Sequence, residues 1–270
     1  MKKFAKVVSL PNMKLAAIRN KEVLPQYQYQ SVVVDDDIKD YGKGKHYFIR
    51  TYGCQGNLRD SEVIAGILEK LGYEVTENYE NADIILLNTC CVRENAEKKV
   101  FGEIGSLKSL KEKNPELIIG VCGCMVQQEH IVSSLLNQYK QVDLIFGTHN
   151  IYQLPSLLKD AIITNQRICN VLSNQGDIQE DLPSVRASSF KAWVNIMYGC
   201  NKFCTYCIVP YTRGKERSRR SKDILQEIKE LKEKGYKEVT LLGQNVNAYG
   251  KDIDDLSFAQ LMEQIALIGI

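Results

Sequence analysis

What the chain has little of narrows its class first. No run approaches the roughly 20 consecutive apolar residues of a bilayer-spanning helix, so no such helix is expected. The opening MKKFAKVVSLPNMKLAAIRN is basic but has no sustained apolar core ahead of a small-residue cleavage site, and no secretory signal is read in it. Without that signal, the nine cysteines argue for reduced thiols kept for metal or catalysis in a cytoplasmic protein, not for a disulfide framework. Excess charge is missing too. Against 33 Asp and Glu stand 35 Lys and Arg, a net +2, which by itself predicts no polyanionic partner and leaves any nucleic-acid argument to local patches. Histidine is scarce: His46, His130 and His149 all precede residue 150.

What is present is a dense cysteine array. GCNKFCTYC, Gly199 to Cys207, places Cys200, Cys204 and Cys207 as C-x-x-x-C-x-x-C, with Tyr206 directly before the last cysteine. Three thiolates this close can hold one soft metal centre. They cannot complete the four-thiolate shell of an ordinary iron–sulfur cluster, which leaves one iron open to a substrate or cofactor. Zinc would need a fourth ligand, and the three histidines lie in another part of the chain. A thioredoxin-like use of Cys204 and Cys207 leaves Cys200 without a role.

The organisation around that array is read from periodicity. Residues 1–45 have weak periodicity, a polar-aromatic patch (Gln26 to Gln30) and an acidic run (Asp35 to Asp37), and are expected to form an extension with little core of its own. From 46 to 172, strand-like HYFIRTYG, ADIILLN, ELIIGV, DLIFG and ICNVL alternate with helical patterns over 57–71, 94–113, 128–137 and 151–161. That alternation predicts an α/β domain with a doubly wound parallel sheet, 168–172 being its last edge strand. Residues 173–189, polar with Gly, Pro and Ser, read as a linker. Beyond it, a strand over 190–199 leads into the cysteine loop. A helix capped by Ser221, a strand over 238–243 and a helix over 258–268 follow, the start of a βα (TIM-like) barrel. A βα unit takes roughly 30 residues, so 190–270 is expected to hold an incomplete barrel in a C-terminally truncated chain.

The remaining cysteines fall at telling places. Cys54, Cys90 and Cys124 each follow a strand-like run, at the carboxyl edge where a doubly wound sheet binds its ligands. They are therefore expected to converge as a second triad. Cys91 abuts Cys90 and could replace it on pattern alone, whereas Cys122 and Cys169 lie within strands and read as packing. After the array, Arg213, Lys215, Arg217, Arg219 and Arg220 form a basic stretch. It reads either as a solvated loop or, through Arg213 and Arg217, as contacts to phosphate or carboxylate. Asn57, Arg93 and Glu94 flank cysteines of the second triad and read as supporting groups or as helix-start residues.

In five blocks that occur in the family's order, the chain resembles the methylthiotransferases of the radical S-adenosylmethionine superfamily. They are TYGCQGN (51–57), NTCCVRENAEKKV (88–100), GCM (123–125), YGCNKFCTYCIVPYTRGKERSR (198–219) and LLGQNVNAYG (241–250). The resemblance spans about 46–270 and is strongest to the MiaB-type tRNA branch. It implies that Cys200, Cys204 and Cys207 hold a 4Fe-4S cluster whose open iron binds S-adenosylmethionine and, on receiving an electron, yields a 5′-deoxyadenosyl radical. Tyr206 would lie beside the adenine, with Gly243, Gln244 and Asn245 near the methionine amino group, Gln244 standing where an acid is usual. Arg213 and Arg217 would lie beside that cofactor. Cys54, Cys90 and Cys124 would hold an auxiliary 4Fe-4S cluster that carries or donates sulfur, which selects Cys90 over Cys91. The implied reaction is methylthiolation of carbon 2 of an isopentenylated adenosine at tRNA position 37, with a reductant protein as partner, in a monomer. The alternatives carried with it are a methylthiotransferase acting on threonylcarbamoyladenosine tRNA or on a ribosomal protein, and an inactive cluster-binding fragment.

Overall fold

A computed structural model describes the chain except residues 1–3, 19–25, 30, 31, 33, 92, 93 and 174–176, and the backbone alone for 16–18 and 94–96. Its centre is a seven-stranded sheet in which every pairing is parallel. The strands are β1 (Ala5–Ser9), β3 (His46–Tyr52), β4 (Glu74–Val75), β5 (Ile84–Thr89), β6 (Ile118–Gly123), β7 (Leu144–Phe146) and β8 (Arg167–Asn170), in the order β1-β8-β7-β6-β5-β3-β4. Between β1 and β3 lie α1 (Met13–Ile18) and β2 (Tyr27–Gln28). β5 to β8 are buried along their whole length, which is why β5, β6 and β7 read as near-continuous apolar runs instead of alternating ones.

Alternate residues of these strands feed two cores. Ile84, Leu86, Leu144 and Phe146 pack with α2 (Gln55–Lys70) and α5 (Leu154–Ile163). Ile85, Leu87, Ile119 and Ile145 pack with α3 (Glu94–Lys113) and α4 (Glu129–Gln138). From β3 the chain crosses outward to β4 and then returns to β5 on the other side, so β3 and β5 flank a topological switch point. At such a point the loops leave in opposite directions and open a crevice at the carboxyl ends of the strands.

Two expectations about the first half are corrected. Among the described residues of the extension over 1–45, β1 pairs with β8, which is therefore an interior strand, and Ile38 is buried in the core with Tyr41 packed against it. Residues 173–189 are more than a linker. There β9 (Ile178–Gln179) pairs with β2, Ile178 is buried, and Glu180 and Arg186 enter ion pairs with the second half.

The second half is a β-loop-α-β unit. β10 (Lys191–Asn195) pairs in parallel with β13 (Glu238–Leu242), residue for residue from Lys191↔Glu238 to Asn195↔Leu242. Between them come β11 (Met197–Tyr198), the short α6 (Val209–Thr212), β12 (Arg217–Ser218) and α7 (Ser221–Glu233). α8 (Phe258–Ile268) follows, with Ile224, Ile228, Leu261 and Ile265 closing the core. Antiparallel pairing of β11 with β12 ties the base of the cysteine loop. Ser221 does not cap α7 with its own side chain: Arg220 is the cap residue, and Asp255 accepts from Ser221 N at 2.7 Å and from its Oγ at 2.6 Å. An acceptor from a distant loop does the work that a local serine does in most helices.

Candidate metal centres

The carboxyl ends of β3, β5 and β6 lie side by side, with Tyr52 opposite Thr89 and Thr89 opposite Gly123. Cys54, Cys90, Cys91 and Cys124 follow these ends. Thr89 joins two of the strands beyond the ladder: its carbonyl accepts from Cys124 N at 2.8 Å and its hydroxyl donates to Cys122 O at 2.5 Å. Behind them Asn57 and Asn88 hold each other. Asn57 Nδ2 donates to Asn88 Oδ1 at 3.2 Å, and Asn88 Nδ2 donates to Asn57 O at 2.8 Å. Both are fully buried, so this amide pair fixes the start of α2 against the end of β5.

The thiols meet. A hydrogen bond from Cys90, against burial and with help from Asn57, holds the Cys54 thiol down at about 5. Cys54 stands at the N-terminus of α2, where helix amides favour a thiolate. A hydrogen bond from Cys91, again against burial and with help from Arg213, holds Cys124 down at about 7. The same contact with Cys124, then burial, pushes the Cys91 thiol up. Burial alone leads in raising Cys122 and Cys169, the second to about 12, as expected of packing cysteines. Among the described residues, which include all nine cysteines, no disulfide forms.

Sequence reasoning thus located the edge and left the choice between Cys90 and Cys91 to resemblance; the fold brings both into the cluster. No three His, Cys, Asp or Glu side chains among the described residues converge as a single metal ion requires. Thiols spread along three strand ends, two of them (Cys54 and Cys124) held down, suit a multi-iron centre, in which each thiolate binds a different iron. The donor set fits such a cluster.

Cys200, Cys204 and Cys207 occupy the loop tied by β11 and β12. Cys200 N donates to Gly214 O at 3.0 Å and Cys207 N to Cys204 O at 2.8 Å. Cys200 is buried, Cys207 half-buried and Cys204 exposed, so the array opens to one side. Tyr206 is 93% exposed, leaving a bare ring at that mouth. Gln244 Oε1 accepts from Gly199 N at 2.5 Å, and Asn245 Nδ2 donates to Glu216 Oε1 at 2.7 Å, which also accepts from Asn201 N at 3.2 Å. Gly243 lies against Met197. The loop after β13 therefore braces the cysteine loop. Glu216 went unnoticed in the sequence because it sits inside a basic stretch.

That stretch is not the solvated loop of the first reading: Arg213, Arg217 and Arg219 are buried. Arg213 Nε donates to Cys124 Sγ at 3.0 Å and its Nη2 to Asp60 Oδ2 at 2.6 Å. Arg217 lies over the Tyr198 ring at 5.6 Å and donates to Arg213 O at 3.2 Å. Arg219 pairs with Glu180 and Glu227. His149 is brought against this group, and burial, then Arg217 and Arg213, keep it neutral. Arg93 and the side chain of Glu94 lie outside the described residues.

Comparison with known proteins agrees with the two halves. Residues 46–147 match the uncharacterized protein family UPF0004, and residues 194–269 match the radical SAM superfamily. Over its whole length the chain is 56% identical to the tRNA-2-methylthio-N(6)-dimethylallyladenosine synthase of Geobacillus thermodenitrificans, covering 51% of that protein. It is 55% identical to the synthases of the same name from Bacillus mycoides and Anoxybacillus flavithermus, covering 53% and 51% of them. The chain spans about half the length of the curated relatives it matches. Among solved structures, a putative aspartate carbamoyltransferase from Trypanosoma cruzi aligns over 96% of this chain and 91% of its own at a TM-score of 0.19 and 9% identity, which bears on nothing here. The chain carries a UPF0004 domain followed by a radical SAM domain, and throughout its length it is similar to tRNA methylthiotransferases.

Proposed function

We propose that the chain is the cluster-bearing part of a tRNA methylthiotransferase that modifies carbon 2 of N(6)-isopentenyladenosine at position 37, next to the anticodon. The observation that carries the reading is that Cys54, Cys90 and Cys124 follow neighbouring strand ends of one sheet edge, and that Arg213, from the loop bearing Cys200, Cys204 and Cys207, reaches Cys124. Cys200, Cys204 and Cys207 would bind one 4Fe-4S cluster with S-adenosylmethionine, and Cys54, Cys90 and Cys124 the auxiliary one. When bound, these groups supply radical chemistry and sulfur. The chain itself shapes the site. Tyr206 offers its exposed ring to the adenine, Gln244 and Asn245 brace the cysteine loop through Gly199 and Glu216, and Gly243 keeps the loop after β13 close to Met197.

Isopentenylated tRNA and a reductant protein are the partners proposed. No helix among the described residues is long and apolar enough to cross a membrane, and a reducing cytoplasm suits nine thiols. Anaerobic reconstitution should load about eight irons per chain, falling by half when either triad is replaced by alanine. Near-zero iron with one zinc would refute the reading. Mass spectrometry of tRNA nucleosides from a deletion strain should show loss of the methylthio-isopentenyl nucleoside. Its persistence would remove the assigned substrate.

A further inference from the structure

Arg213 belongs to the loop that carries the Cys200–Cys207 array, yet its side chain is buried in the other half of the molecule. Its guanidinium donates to Cys124 at 3.0 Å and is anchored by Asp60 at 2.6 Å. Its neighbour Thr212 lies 3.7 Å from the Cys91 thiol and gives its carbonyl to Thr148 Oγ1 at 3.0 Å, so the whole corner is docked. With 8% exposure, the cation acts where water screens little, and its hydrogen bond to sulfur is charge-assisted.

Net charge and hydrogen bonds to sulfur set the reduction potential of thiolate-bound iron clusters. A nearby cation stabilises the state with one more electron. We propose that Arg213 positions Cys124 and raises the reduction potential of the centre held by Cys54, Cys90 and Cys124, with the Asp60 carboxylate moderating that effect. The inference rests on the proposal that this edge holds an iron–sulfur cluster. In the reduction concerned, one electron enters the cluster and no bond is made or broken. Because the cation comes from the loop of the other centre, its docking links the electronic state of one site to the placement of the other.

The test uses the full chain with Cys200→Ala, Cys204→Ala and Cys207→Ala, so that one centre is loaded from iron and sulfide. The midpoint is followed by EPR during titration with dithionite. Arg213→Met should lower the midpoint enough to change the oxidised-to-reduced ratio at least tenfold, about 59 mV for one electron. Asp60→Asn keeps an oxygen acceptor for the guanidinium but removes the opposing charge, and should raise the midpoint. It carries the test whether or not Arg213→Met folds. Arg213→Lys, which keeps the charge and loses the fork, should fall between Arg213→Met and the parent. Equal midpoints, or shifts of the same sign for Arg213→Met and Asp60→Asn, would overturn the inference while the cluster assignment stands. Failure of the background protein to take up iron would overturn both.

Discussion

Cys124 and Cys200 are each preceded by a glycine at positive φ, Gly123 at 95° and Gly199 at 75°. A Cβ at Gly123 would strike the Thr89 carbonyl and Asn88 Oδ1, and one at Gly199 would strike the carbonyls of Gly214 and Lys215. Each glycine thus turns the chain sharply and lets the sulfur-bearing residue follow a tightly packed backbone. An alanine at either place costs roughly 1–2 kcal/mol from the positive φ alone, before the collision displaces the adjoining cysteine. Gly199→Ala is expected to lose about half of the reconstituted iron (four of about eight) while the Cys54 side stays loaded, and Gly123→Ala to do the reverse. Iron analysis with EPR on each variant checks this, far-UV circular dichroism confirming that both remain folded. Equal iron in both variants and the parent would show that neither backbone turn matters to its centre.

At the scale of elements, the two halves are joined through buried ions. Glu227 on α7 accepts from Arg186 at 2.6 Å, Arg219 at 2.7 Å and Arg59 of α2 at 3.4 Å. Burial works against its charge, yet Arg219 and then Arg59 hold the carboxyl down at about 2. Removing it with Glu227→Ala strands buried guanidinium groups, at a cost of about 3 kcal/mol, visible as a lower urea midpoint at unchanged slope. The sign of the pH effect follows. A carboxyl depressed in the folded state binds more protons when unfolded, so its contribution is complete above the ordinary value of 4.5 and fades as pH falls toward about 2. The gap between Glu227→Ala and the parent should therefore be widest near about pH 6 and shrink near about pH 3; a constant gap would contradict this role.

None of this lock was readable from the chain. A strand with both faces buried announces itself as an unbroken apolar run, so β5 and β6 were legible and, with them, the places of Cys90 and Cys124. A charge run announces nothing of burial. Arg213 and Arg219 look solvated because Asp60 and Glu180, which neutralise them, lie 153 and 39 residues away. Cys91 was ambiguous for a related reason: its partner is Cys124, on another strand end.

At the scale of the whole molecule, β1, α1 and the segment around β2 act as a strap from one half to the other. β1 covers the edge of β8, and α1 lies along α6, the short helix that ends at Thr212. Further on, Tyr27 donates to Ser218 O at 2.7 Å and Tyr29 to Asp223 Oδ2 at 2.8 Å, with Arg220 over the Tyr27 ring at 4.4 Å. Burial, then Asp252, pushes the Tyr27 phenol up to about 12, so it remains a donor at any working pH. The polar-aromatic patch was unreadable as structure because its partners lie in β12 and α7, 191 and 194 residues on. Tyr27→Phe keeps the stacking and leaves the Ser218 carbonyl without that donor, a loss of about 1 kcal/mol and a Tm fall of about 2 °C. Deleting residues 1–29 does more, because it removes β1 and opens the β8 edge to pairing with other chains. That variant should aggregate in a concentration-dependent way on light scattering and lose iron at the Cys200 array faster in air than Tyr27→Phe does, since α6 loses its cover. If it stays monomeric with the parent's rate of iron loss, the extension is an accessory to the fold and not a strap across it.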